Sequence, residues 1–348
     1  MYRSFYGFTG KPFQLTPDLR FLYPSSSHKR AMAYLRYGLE QGEGFVVITG
    51  DIGTGKTLLI QTLLAELSDQ TIATARIAAA NLDAERVPAA VAAALGQPFE
   101  GKSKELVLRN LEKALLHARD YLKGVVLIVD EAQTLSQASL EELRILSNLE
   151  ANGHALLQIF LLGQTELQDT LRGSRMRQLR QRVVVSYHLE PLTIEETKRY
   201  IGFRLVAVGW KNTPSFTPEV YEYVQAHTRG VPRKINLLMD RLLVYGFLEE
   251  IRAFDASHVD AVLKEMGAEL SGDIESVAAA AVSTPAAAVE AHAGVDDALP
   301  TLAAAAAKAA EPEGSAATGG QLTPLESRLR ALEAKLEKLA VGPARRRH

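Results

Sequence analysis

The chain has 348 residues, a formal net charge of -2 and no cysteine. That charge excludes a surface given over as a whole to nucleic-acid phosphates, though not a local basic patch. Without cysteine there is no disulfide framework, no thiolate metal site and no cysteine nucleophile. No apolar run reaches the roughly 18 to 20 residues of a membrane helix, and the opening MYRSFYGFTGKPF lacks a signal-peptide stretch, so a soluble, unexported protein is expected.

Residues 1–24 are aromatic and rich in Gly and Pro, and they read as an ordered arm whose rings need a surface to cover. A helical pattern over 28–41 leads into GFVVIT (44–49), an apolar run of the length expected for a buried parallel strand. A helix follows from Lys56 to about Leu67, then a strand over 72–78 and two helical stretches up to about Tyr121. VVLIVD (125–130) is the next apolar strand. A helix over about 137–149 precedes LLQIFLLG (156–163), and VVVSYHL (183–189) ends the alternation. Strands and helices alternating in this way predict an α/β fold, a parallel sheet with helices on both faces.

Beyond Pro191 the pattern turns helical, over 194–208, 218–227 and 231–248, with a last short helix that Asp255 is suited to cap. These segments predict a small all-helical lid. From about Ser271 to Gln321 alanine dominates, with scattered Pro, Gly, Glu and Asp, as in a flexible linker. Leu325, Leu329, Leu332, Leu336 and Leu339 then recur at spacings of four and three. So short a seam leaves two readings open, a weak coiled coil and a single amphipathic helix docked elsewhere. The expected domains are thus 1–190 (arm and α/β core), 191–268 (helical lid), 269–322 (linker), 323–340 (amphipathic or coiled-coil helix) and 341–348 (basic tail).

GDIGTGKT, Gly50 to Thr57, places Gly, four residues, Gly-Lys and Thr between an apolar strand and a helix, the pattern of a phosphate loop. Gly50, Gly53 and Gly55 let the loop turn its N–H groups inward, and the helix adds the positive end of its dipole. Asp51, Ile52, Thr54 and Leu58 complete the expected ATP-binding segment. Lys56 is expected to reach the β and γ phosphates and the Thr57 hydroxyl to ligate Mg²⁺. Asp130, at the end of a buried strand, is the second expected metal ligand, acting through water, and Glu131 is placed to polarise the attacking water. Gln164, after the third apolar strand, either orients that water or caps the helix that follows. Arg177, Arg180 and Arg182 precede the last core strand, where an arginine can serve a neighbouring subunit's nucleotide or form a surface ion pair. Arg233, near the start of a lid helix, is expected to close the lid onto the γ-phosphate, with Lys234 as a substitute. His28 is read as a capping or solvent-facing residue beside an adenine-packing alternative, Trp210 as lid core, and His188 as a strand-end residue without a visible catalytic partner.

Taken together, these motifs resemble an AAA+ ATPase with a P-loop NTPase core. FYGFTGKPFQLTPDLRFLYPSSSHKRAMAYLRYGL, GFVVITGDIGTGKT, VDEAQ, LLGQTEL, LRQRV, YHLEPLTIEET and GVPRKINLL are similar to the general secretion pathway protein A family over about residues 1–266. Within it, the likeness is strongest to ATPases associated with exosortase/PEP-CTERM systems of exopolysaccharide loci. The resemblance implies ATP hydrolysis in the cytoplasm, coupled to the assembly or regulation of envelope export, with a homo-oligomer and an unknown protein partner. Secretion-type members carry a membrane segment and a peptidoglycan-binding region after the core. Here an Ala-rich stretch stands in that place, so a peripheral role at the inner face of the membrane is expected. Two rivals stay open, a DNA-binding ATPase of the transposition-helper type, disfavoured by the acidic balance, and a nucleotide switch that does not hydrolyse. A two-core helicase is disfavoured by the single nucleotide motif.

Overall fold

The computed structural model describes residues 1–67, 72–80 and 82–267. The linker, the leucine seam and the basic tail lie outside the described residues. The described residues form two compact units, one from Pro24–Glu190 and the other from Met1–Tyr23 together with residues 191–267.

In chain order the elements are α1 (Tyr2–Tyr6), α2 (Ser26–Gln41), β1 (Phe45–Gly50), α3 (Lys56–Leu67), β2 (Ile72–Ala78), α4 (Val87–Ala94), α5 (Lys104–Ala118) and β3 (Gly124–Asp130). Then come α6 (Gln137–Leu146), β4 (Glu150–Ala151), β5 (His154–Ala155), β6 (Gln158–Gly163), α7 (Thr165–Arg172), α8 (Arg177–Arg180) and β7 (Val183–Leu189). The second unit adds α9 (Ile194–Ala207), β8 (Ser215–Phe216), α10 (Pro218–Thr228), α11 (Pro232–Leu248), β9 (Ala253–Phe254) and a helical stretch over 256–267.

The core unit is a five-stranded parallel sheet in the order β2-β3-β6-β1-β7. Its inner strands are apolar on both faces because both faces are covered. Phe45 and Val47 of β1, Val125, Leu127 and Val129 of β3 and Ile159 and Leu161 of β6 pack into one cluster. Val46, Ile48, Val126, Ile128, Phe160 and Leu162 pack into the other, against α2 and α3. This period of two is the pleat of the sheet read directly from the side chains. The third apolar strand is shorter than its apolar run, since Leu156 and Leu157 are spent on the approach from the β4–β5 hairpin. Gln158, buried at the start of β6, donates to the carbonyls of Gly38 (2.6 Å) and Glu43 (3.1 Å), tying the end of α2 to the sheet.

The arm, grouped with the core in the sequence reading, packs instead with the helical unit. Its rings supply the reason, since Tyr2, Tyr6, Phe8, Phe13 and Phe21 share one buried cluster with residues of α9, α10 and α11. Tyr2 donates to the Asp240 carboxylate (2.6 Å) and Tyr6 to the carbonyl of Ile251 (2.9 Å). Burial raises both phenols above the usual tyrosine range, helped at Tyr2 by Asp240, so they stay neutral donors. Arg204 of α9 closes the joint. Only 5% exposed, it donates to the carbonyls of Pro12 (2.5 Å) and Gln14 (3.1 Å) and to the Tyr200 hydroxyl (2.7 Å). Its guanidinium lies 4.6 Å from the Phe21 ring centroid, a cation–π contact. Thr193 and Glu196 form a capping box at the start of α9, and Asp255 accepts from the Ser257 and His258 amides at the start of the last helical stretch, as expected. The helical unit also holds one short parallel strand pair, β8–β9.

Replacing Arg204 with Met removes the donors of one buried and one partly buried carbonyl while keeping much of the apolar stem. Arg204→Met should therefore destabilise this unit by about 2–4 kcal/mol. The check is urea unfolding followed by the fluorescence of Trp210, the single tryptophan, which sits in the same cluster. An unchanged midpoint would show that the arm is held by its rings alone.

Candidate active site

β1 is buried along its length and stops at Gly50, so the chain leaves the C-terminal edge of the sheet and must turn at once to start α3 at Lys56. Gly55 makes the last part of that turn at φ +103°, a conformation that strains any L side chain, and a Cβ there would also come within 2.8 Å of His28 Nε2. The first amides of α3 point into the loop, as at any helix start. Lys56 is buried and folds back over the loop, donating from Nζ to the carbonyls of Gly50 (2.7 Å) and Asp51 (3.0 Å). Burial pulls its ammonium below the usual lysine range, and the carboxylates of Glu131, Asp130, Asp51 and Glu166 oppose that fall. Thr54 closes the turn by donating to the Asp51 carbonyl (2.9 Å).

His28 departs from the sequence reading. Ser25, not His28, caps α2, and the imidazole is buried with Nδ1 2.8 Å from Ser25 Oγ and its other edge against Gly55. It forms a wall of the loop and is not a solvent-facing residue.

The acidic end of β3 is also occupied. Asp130 Oδ1 accepts the Glu131 amide (3.0 Å), and Oδ2 is paired with Arg76 of β2. Glu131 adopts the left-handed backbone at φ 55°, uncommon for a residue with a side chain, and Thr134 holds the turn by donating to the Glu131 carbonyl through both its amide and its hydroxyl. The Glu131 carboxylate takes a short hydrogen bond from Gln133 Nε2 (2.6 Å) and a longer one from Gln164 Nε2 (3.4 Å). Gln133 also accepts the Gln164 amide (2.9 Å), an approach that the bare Gly163 permits, since a Cβ there would lie 3.1 Å from Gln133 Oε1. Gln164 stands at the N-cap of α7 but makes no side-chain cap there, and its side-chain amide turns to Glu131 instead.

α7 ties these parts together. Thr165 lies 3.5 Å from Asp51 Oδ1, and Gln168 donates to Thr49 Oγ1 (2.5 Å), which is 3.1 Å from His188 Nδ1. Arg76, Gln133 and Gln168 escaped the sequence reading. Arg76 had a signal, as the one charge within the strand IATARIA, and Gln133 had one in VDEAQ.

The arginines before β7 divide. Arg180 spends Nη1 on the carbonyls of Leu171, Arg172 and Gly173 at the end of α7, and Arg182 lies 3.3 Å from the Ser147 carbonyl. Arg177 is exposed, and its side chain makes no hydrogen bond among the described residues, only its carbonyl accepting the Gln181 amide. Arg233 and Lys234 are exposed in the first turn of α11, within the helical unit.

Residues 39–171 match the family model of an AAA domain. General secretion pathway protein A of Aeromonas hydrophila is 39% identical over 254 residues, 71% of this chain and 45% of that protein. The AAA+ core is of the general secretion pathway protein A type. The chain spans less than half the length of this relative, so the likeness covers only part of that protein. Among solved structures, Cdc6p of Pyrobaculum aerophilum superposes with a TM-score of 0.55 at 18% identity, covering 76% of this chain and 70% of that one. ORC2 of Aeropyrum pernix, determined with ADPNP and ADP, gives 0.51 at 16% identity, covering 69% of this chain and 66% of that one. Identities this low speak for the fold alone. An AAA+ core of this kind binds nucleotide.

Gly55→Ala meets two obstacles in this loop, the left-handed φ and the His28 ring. It should lower nucleotide affinity at least about tenfold, and His28→Ala in the same chain should not restore it, because the backbone strain remains. Titration with a fluorescent ADP analogue measures both variants, and wild-type affinity in Gly55→Ala would contradict this account of the loop.

Proposed function

We propose that the chain binds Mg-ATP in the loop from Gly50 to Leu58 and hydrolyses it, with Glu131 as the residue that polarises water. What favours hydrolysis over a passive switch is the Glu131 carboxylate, held by Gln133 and Gln164 beside the strand end that faces the loop. In this reading Lys56 leaves its two loop carbonyls to meet the β and γ phosphates, and the amides of the loop and α3 take the remaining phosphate oxygens. Asp130 and Thr57 offer hard oxygen donors, the chemistry that suits Mg²⁺, and they are the residues that would hold it. The metal would neutralise charge building on the phosphates. Gln164 orients the water that Glu131 activates.

The oligomer proposed here is a homo-oligomer in which an arginine before β7 reaches a neighbour's nucleotide. Arg177 is the least committed of the three, and Arg180 and Arg182 would act only with the donors their carbonyl contacts leave over. Arg233 is proposed to report the γ-phosphate from the helical unit. The biological output we propose is assembly or regulation of an envelope export system, supported by the likeness to general secretion pathway protein A. A link to exopolysaccharide or exosortase systems rests on the sequence motifs of the arm and core. Among the described residues no helix is long and apolar enough to cross a membrane, and a cytoplasmic site with peripheral contact at the inner membrane is the location we propose. A DNA-binding role has no observation among the described residues in its favour.

Lys56→Ala should weaken nucleotide binding at least about tenfold, a loss of about 1.4 kcal/mol or more. Glu131→Gln should keep the affinity while slowing phosphate release by about 10²–10⁴-fold. Calorimetry and a phosphate-release assay separate the two effects. Hydrolysis at the wild-type rate in Glu131→Gln would remove Glu131 from its proposed role.

A further inference from the structure

We infer that Arg76 is the resident counter-cation of Asp130 and that it makes uptake of a divalent cation depend on bound nucleotide. This deepens the proposed function and rests on its assignment of Asp130 to the metal. β2 is an edge strand of small and apolar residues in which Arg76 is the one charge. Parallel pairing sets Arg76 against Ile128 and Ala78 against Asp130. Arg76 and Asp130 therefore share a face two residues apart, the face whose cluster includes Ile128 and the apolar residues of α3. From there the guanidinium reaches along the strand to Oδ2 of Asp130.

The carboxylate has reason to keep a cation. Its side chain is 12% exposed, and a carboxylate that deep is costly without a counter-charge. Lys56 does not serve, since its Nζ is bonded to the carbonyls of Gly50 and Asp51. Among the described residues, Arg76 is the cation in contact with Asp130. Burial is unequal across the pair, with the Arg76 side chain 34% exposed, so the guanidinium can withdraw into solvent while the carboxylate stays in place.

A metal entering this site without nucleotide meets a neutralised acid and a guanidinium beside it. With nucleotide, the phosphates supply the missing negative charge, and the exchange of guanidinium for metal becomes favourable. Arg76 is thus a positioning residue whose charge, and not its shape alone, sets the order of loading. That distinction is what a conservative variant reads.

The test is Mn²⁺ binding to the full chain, followed by the electron paramagnetic resonance of the free ion, with and without saturating ADP. Arg76→Met should bind Mn²⁺ at least about tenfold more tightly than wild type in the absence of ADP, the scale on which a neighbouring like charge shifts the affinity of a site for a cation. Saturating ADP should narrow the gap to about threefold or less, and Arg76→Lys should behave as wild type in both states. Equal or weaker Mn²⁺ binding by Arg76→Met, in protein that still binds ADP in the presence of a chelator, overturns the inference while leaving the nucleotide reading intact. A wild-type chain that takes up no ADP overturns both. Should Arg76→Met fail to fold, the double variant with Asp130→Asn decides. Recovered thermal stability supports neutralisation of Asp130 by Arg76, and continued unfolding shows that Arg76 acts as packing.

Discussion

A buried ammonium with no anion of its own is the constraint from which the site follows. Lys56 is held by two backbone carbonyls, and the carboxylates of Glu131, Asp130, Asp51 and Glu166 act on it through space without a direct bond among the described contacts. Carbonyl dipoles offset part of the cost of burying a charge, but an oxyanion offsets it better. The same place gathers the first amides of α3 and the turn at Gly55, which add positive potential. A polyphosphate is the ligand that relieves all of these groups together.

Each acid near the loop is meanwhile restrained by a neighbour, Asp130 by Arg76 and Glu131 by Gln133 and Gln164. These partners come from different elements, β2, the turn after β3 and the start of α7. α7 in turn reaches Asp51 through Thr165 and Thr49 through Gln168. A shift of α7 would thus be felt both at the glycine loop and at the water-polarising carboxylate.

Much of this was legible in the sequence because it depends on local pattern. Apolar runs of strand length located the three inner strands of the sheet, the alternation of strand and helix located the two edge strands, and the Gly-Lys-Thr turn between a strand and a helix identified the loop. What escaped depends on register and on contacts distant in the chain. Arg76 meets Asp130 only because β2 and β3 are paired with one particular alignment. His28 meets Gly55, and His188 meets Thr49, across gaps that no periodicity encodes. The arm was legible as ordered, yet its partner was not, since a row of aromatic rings states that a surface is needed without saying which. Arg204 answers that question from 190 residues away.

Amide hydrogen exchange, with and without Mg-ATP under conditions too brief for turnover, tests the central claim most directly. The account predicts new protection concentrated at residues 53–58, with a smaller effect at the turn around Glu131. Unchanged exchange in the glycine loop, in protein whose remaining amides show it to be folded, would contradict it.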